Sequence, residues 1–163
     1  MGERRISTNT SEFLIHLIPN SSNRMSNSAI SNKKYDLEER TARFGESIIE
    51  FCQKLPRNEI TQRIIPQLVG CGTAVGSNYC EADCAESNKD FIHKMAIANK
   101  ESKESKYFLR MVSKACPKYS EQSRFLWKEA YELNLIFTTI IKKRKLLKLK
   151  RVFNFAFKPW EFY

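Results

Sequence analysis

From Tyr35 onward the apolar residues recur at spacings of three, four and seven, in four stripes separated by helix breakers. That period belongs to an amphipathic helix, because 3.6 residues per turn brings such positions onto one face. The first stripe is Leu37, Phe44, Ile48, Phe51 and Leu55, ended by Pro56. The second runs Ile60, Ile64, Leu68, Cys71, Val75, Asn78 and Ala82, with Asn58 placed to cap it. Pro66 lies inside this stripe; lacking an N–H and crowding the preceding turn, it predicts a kink or a delayed regular start. Ser87 with Asp90 reads as a variant capping box opening a third helix, whose stripe is Phe91, Met95, Ala98, Ser102, Ser105, Leu109 and Val112, closed after Cys116 by Pro117. The fourth begins near Glu121, carries Phe125, Leu126, Leu133, Phe137, Ile140 and Ile141, and leads into Lys142–Lys145. Long helices joined by short connections predict antiparallel neighbours, hence an all-α, up-down-up-down four-helix bundle over residues 35–147. Five glycines and five prolines in 163 residues are too few for a turn-rich β-sandwich or barrel.

Charge divides the chain differently. Lys and Arg outnumber Asp and Glu by 28 to 18, a formal charge of +10. Residues 1–34 hold +3 of it, residues 35–120 only +1, and residues 121–163 the remaining +6. The first segment is rich in Ser and Asn and is expected to be a disordered arm; Met25 offers an alternative start that would shorten it. The last segment, 148–163, is a basic aromatic tail: six of the nineteen aromatic residues fall in its final eleven positions, and Lys142 to Lys158 holds eight basic residues and no acidic one. Lys and Arg neutralise phosphates while Phe, Trp and Tyr stack on unpaired bases, so this end is the first-principles candidate for nucleic acid. The competing readings are that the aromatics dock on the bundle or on a neighbouring subunit, or that the tail is simply disordered. No apolar run reaches the roughly 18 residues of a membrane span, and Phe13 to Ile18, broken by His16, is too short for a signal peptide. Five cysteines without a paired framework predict a reduced, cytoplasmic protein and no membrane partner.

Within the bundle, Gly70, Gly72 and Gly76 crowd into the second helix, where each costs about 1 kcal/mol against alanine. No strand precedes them, so a dinucleotide fingerprint is excluded; Gly72 and Gly76, four apart, predict the close approach of a neighbouring helix. Asn78 and Glu81 sit at the edge of the apolar seam and need partners. Glu101, Ser102, Glu104 and Ser105 on the third helix are candidates, so Asn78, Glu81, Glu101, Glu104 and Ser105 are expected to form a structural polar network. Asp90-Phe-Ile-His93 imitates a di-iron ligand pair, but such a centre needs two motifs and two further carboxylates, and His93 is the only histidine of the bundle. Cys80 and Cys84, with Cys71 upstream, lack the second ligand pair of a zinc site and read as small apolar residues. No metal, no cofactor and no catalytic set is expected, and so no enzyme.

Three stretches carry a resemblance: Gly72-Thr-Ala-Val-Gly-Ser-Asn-Tyr-Cys-Glu-Ala82, Ser87-Asn-Lys-Asp-Phe-Ile-His93, and Ala98 through Leu109. They resemble the four-helix-bundle proteins encoded in intervening sequences of bacterial 23S ribosomal RNA genes. Asn78, Tyr79 and Glu81 match that family's small-residue segment, Ser87 and Phe91 its helix opening, and Glu101, Glu104, Ser105, Phe108 and Leu109 its paired glutamates before an aromatic-Leu. Phe108 stands where tryptophan is common and Ala74 where serine is usual. The resemblance spans roughly Tyr35 to Lys145. It implies a left-handed bundle and a homopentameric ring, as in the related accessory protein of diversity-generating retroelements, which binds nucleic acid and a reverse transcriptase through a basic surface. It brings no catalytic residue.

Two expectations follow. The first is an oligomeric, non-enzymatic RNA-binding bundle, with Lys142, Lys143, Arg144, Lys145, Lys148, Lys150 and Arg151 contacting phosphates. The second is a scaffold that recruits a protein partner through the tail.

Overall fold

A computed structural model describes residues 36–156, with side chains through Lys150. The expected arm at 1–34 and the last residues of the tail lie outside the described residues, so those two expectations rest on the sequence alone. Among the described residues the protein is all-α: four helices, one short 3₁₀ turn and no strand. No described helix is long and apolar enough to cross a membrane.

Helix α1 spans Leu37–Lys54, opened by Asp36, whose side chain accepts from the Glu39 amide at 3.2 Å. Pro56 follows Leu55, where the backbone has turned extended, because a proline at that point cannot continue the helical ladder. Helix α2 is Thr61–Asp83. Asn58 caps it as its position predicts: its Oδ1 accepts from the amides of Ile60 at 3.0 Å and Thr61 at 2.9 Å. The regular helix begins before Pro66 and continues through it, so the start is not delayed. Pro66 faces solvent, where water can satisfy the carbonyl its missing N–H leaves free.

Helix α3 is Asn88–Ala115, and the Ser87 hydroxyl accepts from the Asp90 amide at 3.1 Å, which is the cap the sequence signals. After the 3₁₀ turn Pro117–Tyr119, helix α4 runs Ser120–Ala156. It crosses residue 147, the expected end of the bundle, without interruption. At about 1.5 Å per residue it is roughly 55 Å long, some 13 Å longer than α3.

Each helix touches two neighbours. α2 packs on α3 and α3 on α4 extensively, α1 packs on α2, and α1 meets α4 only lightly. Phe44, Ile48, Phe51, Leu68, Val75, Met95, Leu109, Val112, Leu133 and Phe137 fill the centre at 2% exposure or less. Two stripe members are misplaced. Ile60 is 61% exposed because it precedes the first regular residue of α2, and Ile65 is buried in its stead. Phe125 is 57% exposed: it neighbours Leu126, and adjacent residues lie about 100° apart on a helix, so only Leu126 enters the core.

The glycine expectation meets a specific contact. A methyl on Gly72 would fall 2.8 Å from Ile48 Cγ2 and 2.9 Å from Cγ1, and one on Gly76 would lie 3.4 Å from the Thr41 carbonyl oxygen. Gly45 of α1 faces Thr73 in turn, whereas Gly70 has nothing within 4 Å. Glycine at 72 is what lets α1 and α2 come this close.

Candidate nucleic-acid interface

The proposed contact residues occupy the C-terminal third of α4. Every position from Lys142 to Lys150 is exposed, and none of its cations forms an ion pair among the described residues. The core stripe of α4 ends at Ile140 and Ile141, both half-buried. Beyond them the positions that would continue the stripe are Arg144 and Lys148. Arg144 places its guanidinium 4.4 Å from the Phe91 ring centroid at the start of α3, a cation–π contact that fixes its direction. Asn88, Lys89, Arg144, Leu147 and Lys148 line a shallow groove of about 230 Å³ between these two helices. Lys142, Lys143, Lys145 and Lys150 project elsewhere around α4. Arg151 lies in α4, but its side chain falls outside the described residues. Lys106 is differently engaged, over the rings of Trp127 at 5.2 Å and Tyr131 at 4.7 Å.

The expected polar network does not form as one unit. Asn78 donates from Nδ2 to the Ala74 carbonyl of its own helix at 2.9 Å. Glu81, exposed, accepts from Lys94 of α3, and that carboxylate raises the Lys94 pKa. Ser105 is fully buried, donating to the Glu101 carbonyl at 2.9 Å and reaching Cys71 Sγ at 3.4 Å. Glu101 and Glu104 meet none of the others through their carboxylates; burial, and then the charge of Glu104, push the Glu101 pKa up. The reason is rotational. The edge positions of α2 and α3 diverge toward solvent, so only the seam residues Cys71 and Ser105 and one long-armed pair bridge the helices.

Further polar contacts tie the other helices together. Asn134, 7% exposed, donates from Nδ2 to the Asn99 side-chain and main-chain oxygens, and Asn99 Nδ2 donates to Thr138 Oγ1 at 3.2 Å. Ser123 donates to the Leu109 carbonyl at 2.5 Å. Arg40 of α1 forks onto Glu129 at 2.6 and 2.9 Å and Glu132 at 2.6 Å, and the Glu129 hydrogen bond outweighs burial to hold its pKa above the ordinary guanidinium range. The sequence held one signal for this set: Asn134 interrupts the otherwise apolar run Leu133 to Phe137.

All five cysteines are free. Cys52 and Cys71 are buried, and burial pushes each thiol up to about 11. Cys80 and Cys84 are exposed rather than packed as small apolar residues: Cys80 lies about 200° around α2 from the buried Ala82, and Cys84 follows Asp83, the last residue of the helix. Among the described residues no three His, Cys, Asp or Glu side chains converge as a metal site. Asp90 sits at the Ser87 cap and His93 faces solvent.

The profile of the 23S rRNA-intervening sequence proteins matches residues 33–139. The chain belongs to that family. A solved structure is similar as well: a protein of unknown function from the S23 ribosomal protein family of Bacteroides thetaiotaomicron, 28% identical, with a TM-score of 0.57. The match covers 64% of this chain and 94% of that one. Comparison with curated proteins gives no match. The family match closes at residue 139, before Lys142. The matched region holds the packed part of the four helices, and the basic end of α4 lies beyond it.

Proposed function

We propose that this intervening-sequence protein is a non-enzymatic, homo-oligomeric RNA-binding bundle that grips phosphates with the basic end of α4. The observation that carries this reading is the run of exposed, unneutralised cations from Lys142 to Lys150, with Arg144 held over Phe91. A cation without a carboxylate partner keeps its full charge for a polyanion, and binding it releases counterions from the nucleic acid. The up-down-up-down order is supported by contact register: Thr41 and Ile48 face Gly76 and Gly72, Cys71 and Glu81 face Ser105 and Lys94, and Asn99 and Leu109 face Asn134 and Ser123. In each pair one number rises as the other falls. The left-handed twist and the homopentameric ring rest on the family resemblance, and repetition around a ring would add weak contacts by avidity. Five free thiols favour a reducing compartment, the cytoplasm.

The test is fluorescence anisotropy of a labelled single-stranded RNA across a salt series. Four neutralised phosphates predict a slope of log K against log salt of about −3. Deleting 146–163 and replacing Lys142, Lys143, Arg144 and Lys145 by glutamine should abolish most of the affinity. Unchanged affinity would overturn the reading.

A second reading, a scaffold that recruits a protein such as a reverse transcriptase, is favoured by Leu146, Leu147 and Leu149, each more than half exposed among those lysines. Partner recovery that survives RNase treatment would favour it over RNA binding.

A further inference from the structure

The net charge of +1 over residues 35–120 conceals two sides of opposite sign. After Asn88, the exposed positions of α3 are 89, 93, 96, 100, 103, 107, 110 and 114. Spacings of four and three in alternation put them within one band about 100° wide along the helix. Five of the eight are cations, Lys89, Lys100, Lys103, Arg110 and Lys114, and none is a carboxylate. The acidic residues of α3, Asp90, Glu101 and Glu104, are half-buried off this row. None of the five cations forms an ion pair among the described residues. The row is roughly 38 Å long.

The exposed positions of α1 have the other sign: Glu38, Glu39, Glu46 and Glu50, against Lys54 and an Arg43 already paired with Glu39 at 2.7 Å. α1 packs on α2 and α4 and does not touch α3, so these glutamates lie diagonally across the bundle from the basic row. A field divided in this way turns the α3 side toward a polyanion. At its first turn the row meets the basic end of α4, because Lys89 lines the groove shared with Arg144 and Lys148. The row lacks what other acidic partners need. A helix lying on an anionic membrane buries a face of large apolar residues, and the centre of a protein interface is depleted in lysine. Between these cations the large exposed side chain is Tyr107, 58% exposed, its ring edge-on to Phe108 with 5.3 Å between centroids. An open ring set among phosphate-binding cations is the composition of a single-strand surface.

We infer that the outer face of α3, Lys89 to Lys114, is a second binding surface for single-stranded RNA, within the bundle itself. This rests on the RNA-binding part of the proposed function and extends it; the cations of α4 keep the role given above. The strand's backbone runs along the row, with Lys100, Lys103, Arg110 and Lys114 on phosphates and Tyr107 stacked on an unpaired base. From Lys89 the strand passes to Arg144 and Lys148, so the two surfaces hold one continuous strand. Such contacts engage phosphate charge and the π-face of any base, so binding is tolerant of sequence. Unlike the end of α4, the row lies wholly within the region that the family profile matches, residues 33–139.

The experiment is fluorescence anisotropy of a labelled oligouridylate with the full chain across a salt series. The variant K103Q/R110Q/K114Q removes three exposed cations and leaves the core alone; circular dichroism checks its helices. It should bind about tenfold more weakly at low salt and flatten the slope of log K against log salt by about 2, at roughly 0.7 per phosphate of a single strand. The variant K103R/K114R should keep both. Tyr107→Ala should lower affinity about tenfold at unchanged slope, since it removes a ring and no charge, and Tyr107→Phe should retain it. A triple variant with wild-type affinity and slope, beside α4 variants that lose theirs, would overturn this surface and leave the proposed function standing. Loss in the triple variant alone would support this surface and overturn the grip by α4. A wild-type chain that binds no RNA at low salt would overturn both. Polyglutamate that displaces the RNA as well as unlabelled oligouridylate does, charge for charge, would mark a site for acidic protein and overturn the RNA assignment.

Discussion

Substituting Gly72 and Gly70 by alanine separates helix propensity from packing in one helix. Both substitutions remove a glycine from the interior of α2, and each gains about 1 kcal/mol of intrinsic helix stability. Their surroundings differ. A methyl at position 70 meets nothing within 4 Å, whereas one at 72 falls 2.8 and 2.9 Å from the two γ-carbons of Ile48. Ile48 has no exposed surface and is β-branched, so it cannot swing away by a small torsion. Overpacking of this kind costs about 1–3 kcal/mol. Gly70→Ala should therefore stabilise by 0.5–1 kcal/mol, and Gly72→Ala should be neutral to about 2 kcal/mol destabilised, the difference between the two variants measuring the clash. Urea unfolding followed at 222 nm, at one fixed protein concentration, reads both midpoints. Ile48→Ala removes both offending carbons, so Gly72→Ala added to it should do less harm than in the wild type and can even stabilise. A Gly72→Ala variant as stable as Gly70→Ala, with no coupling to position 48, would refute the close-approach reasoning.

Three further outcomes are expected. Ser87→Ala should lower stability by about 1 kcal/mol in the same unfolding assay, through loss of the hydroxyl that accepts from the Asp90 amide, with Ser87→Asn recovering most of it. Glu101 has its pKa raised in the fold, so its charged form opposes folding: its unfavourable contribution is absent in acid and appears as pH rises through the carboxylate range. Glu101→Gln should accordingly raise the urea midpoint at pH 7 by a small amount that vanishes in acid; a midpoint gain that is the same in acid and at pH 7 would contradict the cause. Titration with a thiol reagent under native conditions should find two reactive cysteines, Cys80 and Cys84, and release Cys52, Cys71 and Cys116 only on unfolding. Five equally fast thiols would contradict the buried placement.

The helices were legible because their determinants are local. Asn58 and Ser87 announce their caps within three residues, and the stripes of Phe44–Phe51 or Leu68–Val75 are written at a single period. The Gly72 contact was also readable, since a glycine in a helix interior needs a reason. What failed was whatever depends on rotation about a helix axis or on the end of an element. Phe125 and Cys80 fit a period by number but not by angle, and Ile60 and Cys84 sit just outside the two ends of α2. The polar pairing failed for a different reason. Glu81 and Glu101 lie at the stripe edges of α2 and α3, and side-chain reach decides that Lys94 meets Glu81 while the Glu101 carboxylate meets none of the expected network. Asn99 with Asn134, and Arg40 with Glu129, are 35 and 89 residues apart; Asn134 stands out in its apolar run, but at such separations one sequence does not name the partner.

The length of α4 has a consequence in helix–coil terms. A segment like 142–156, cut out as a peptide of fifteen residues, would be at the margin of helicity in water, because starting a helix fixes three residues for one hydrogen bond. Attached to the packed part of α4 it inherits a finished nucleus, and each added residue needs only propagation. Against that, Lys142 with Lys145, Arg144 with Lys148 and Lys145 with Lys148 repel at three- and four-residue spacing, which weakens each propagation step by tenths of a kcal/mol. A polyanion that screened those pairs would remove that penalty, so the helicity of the far end of α4 should rise with the negative charge around it.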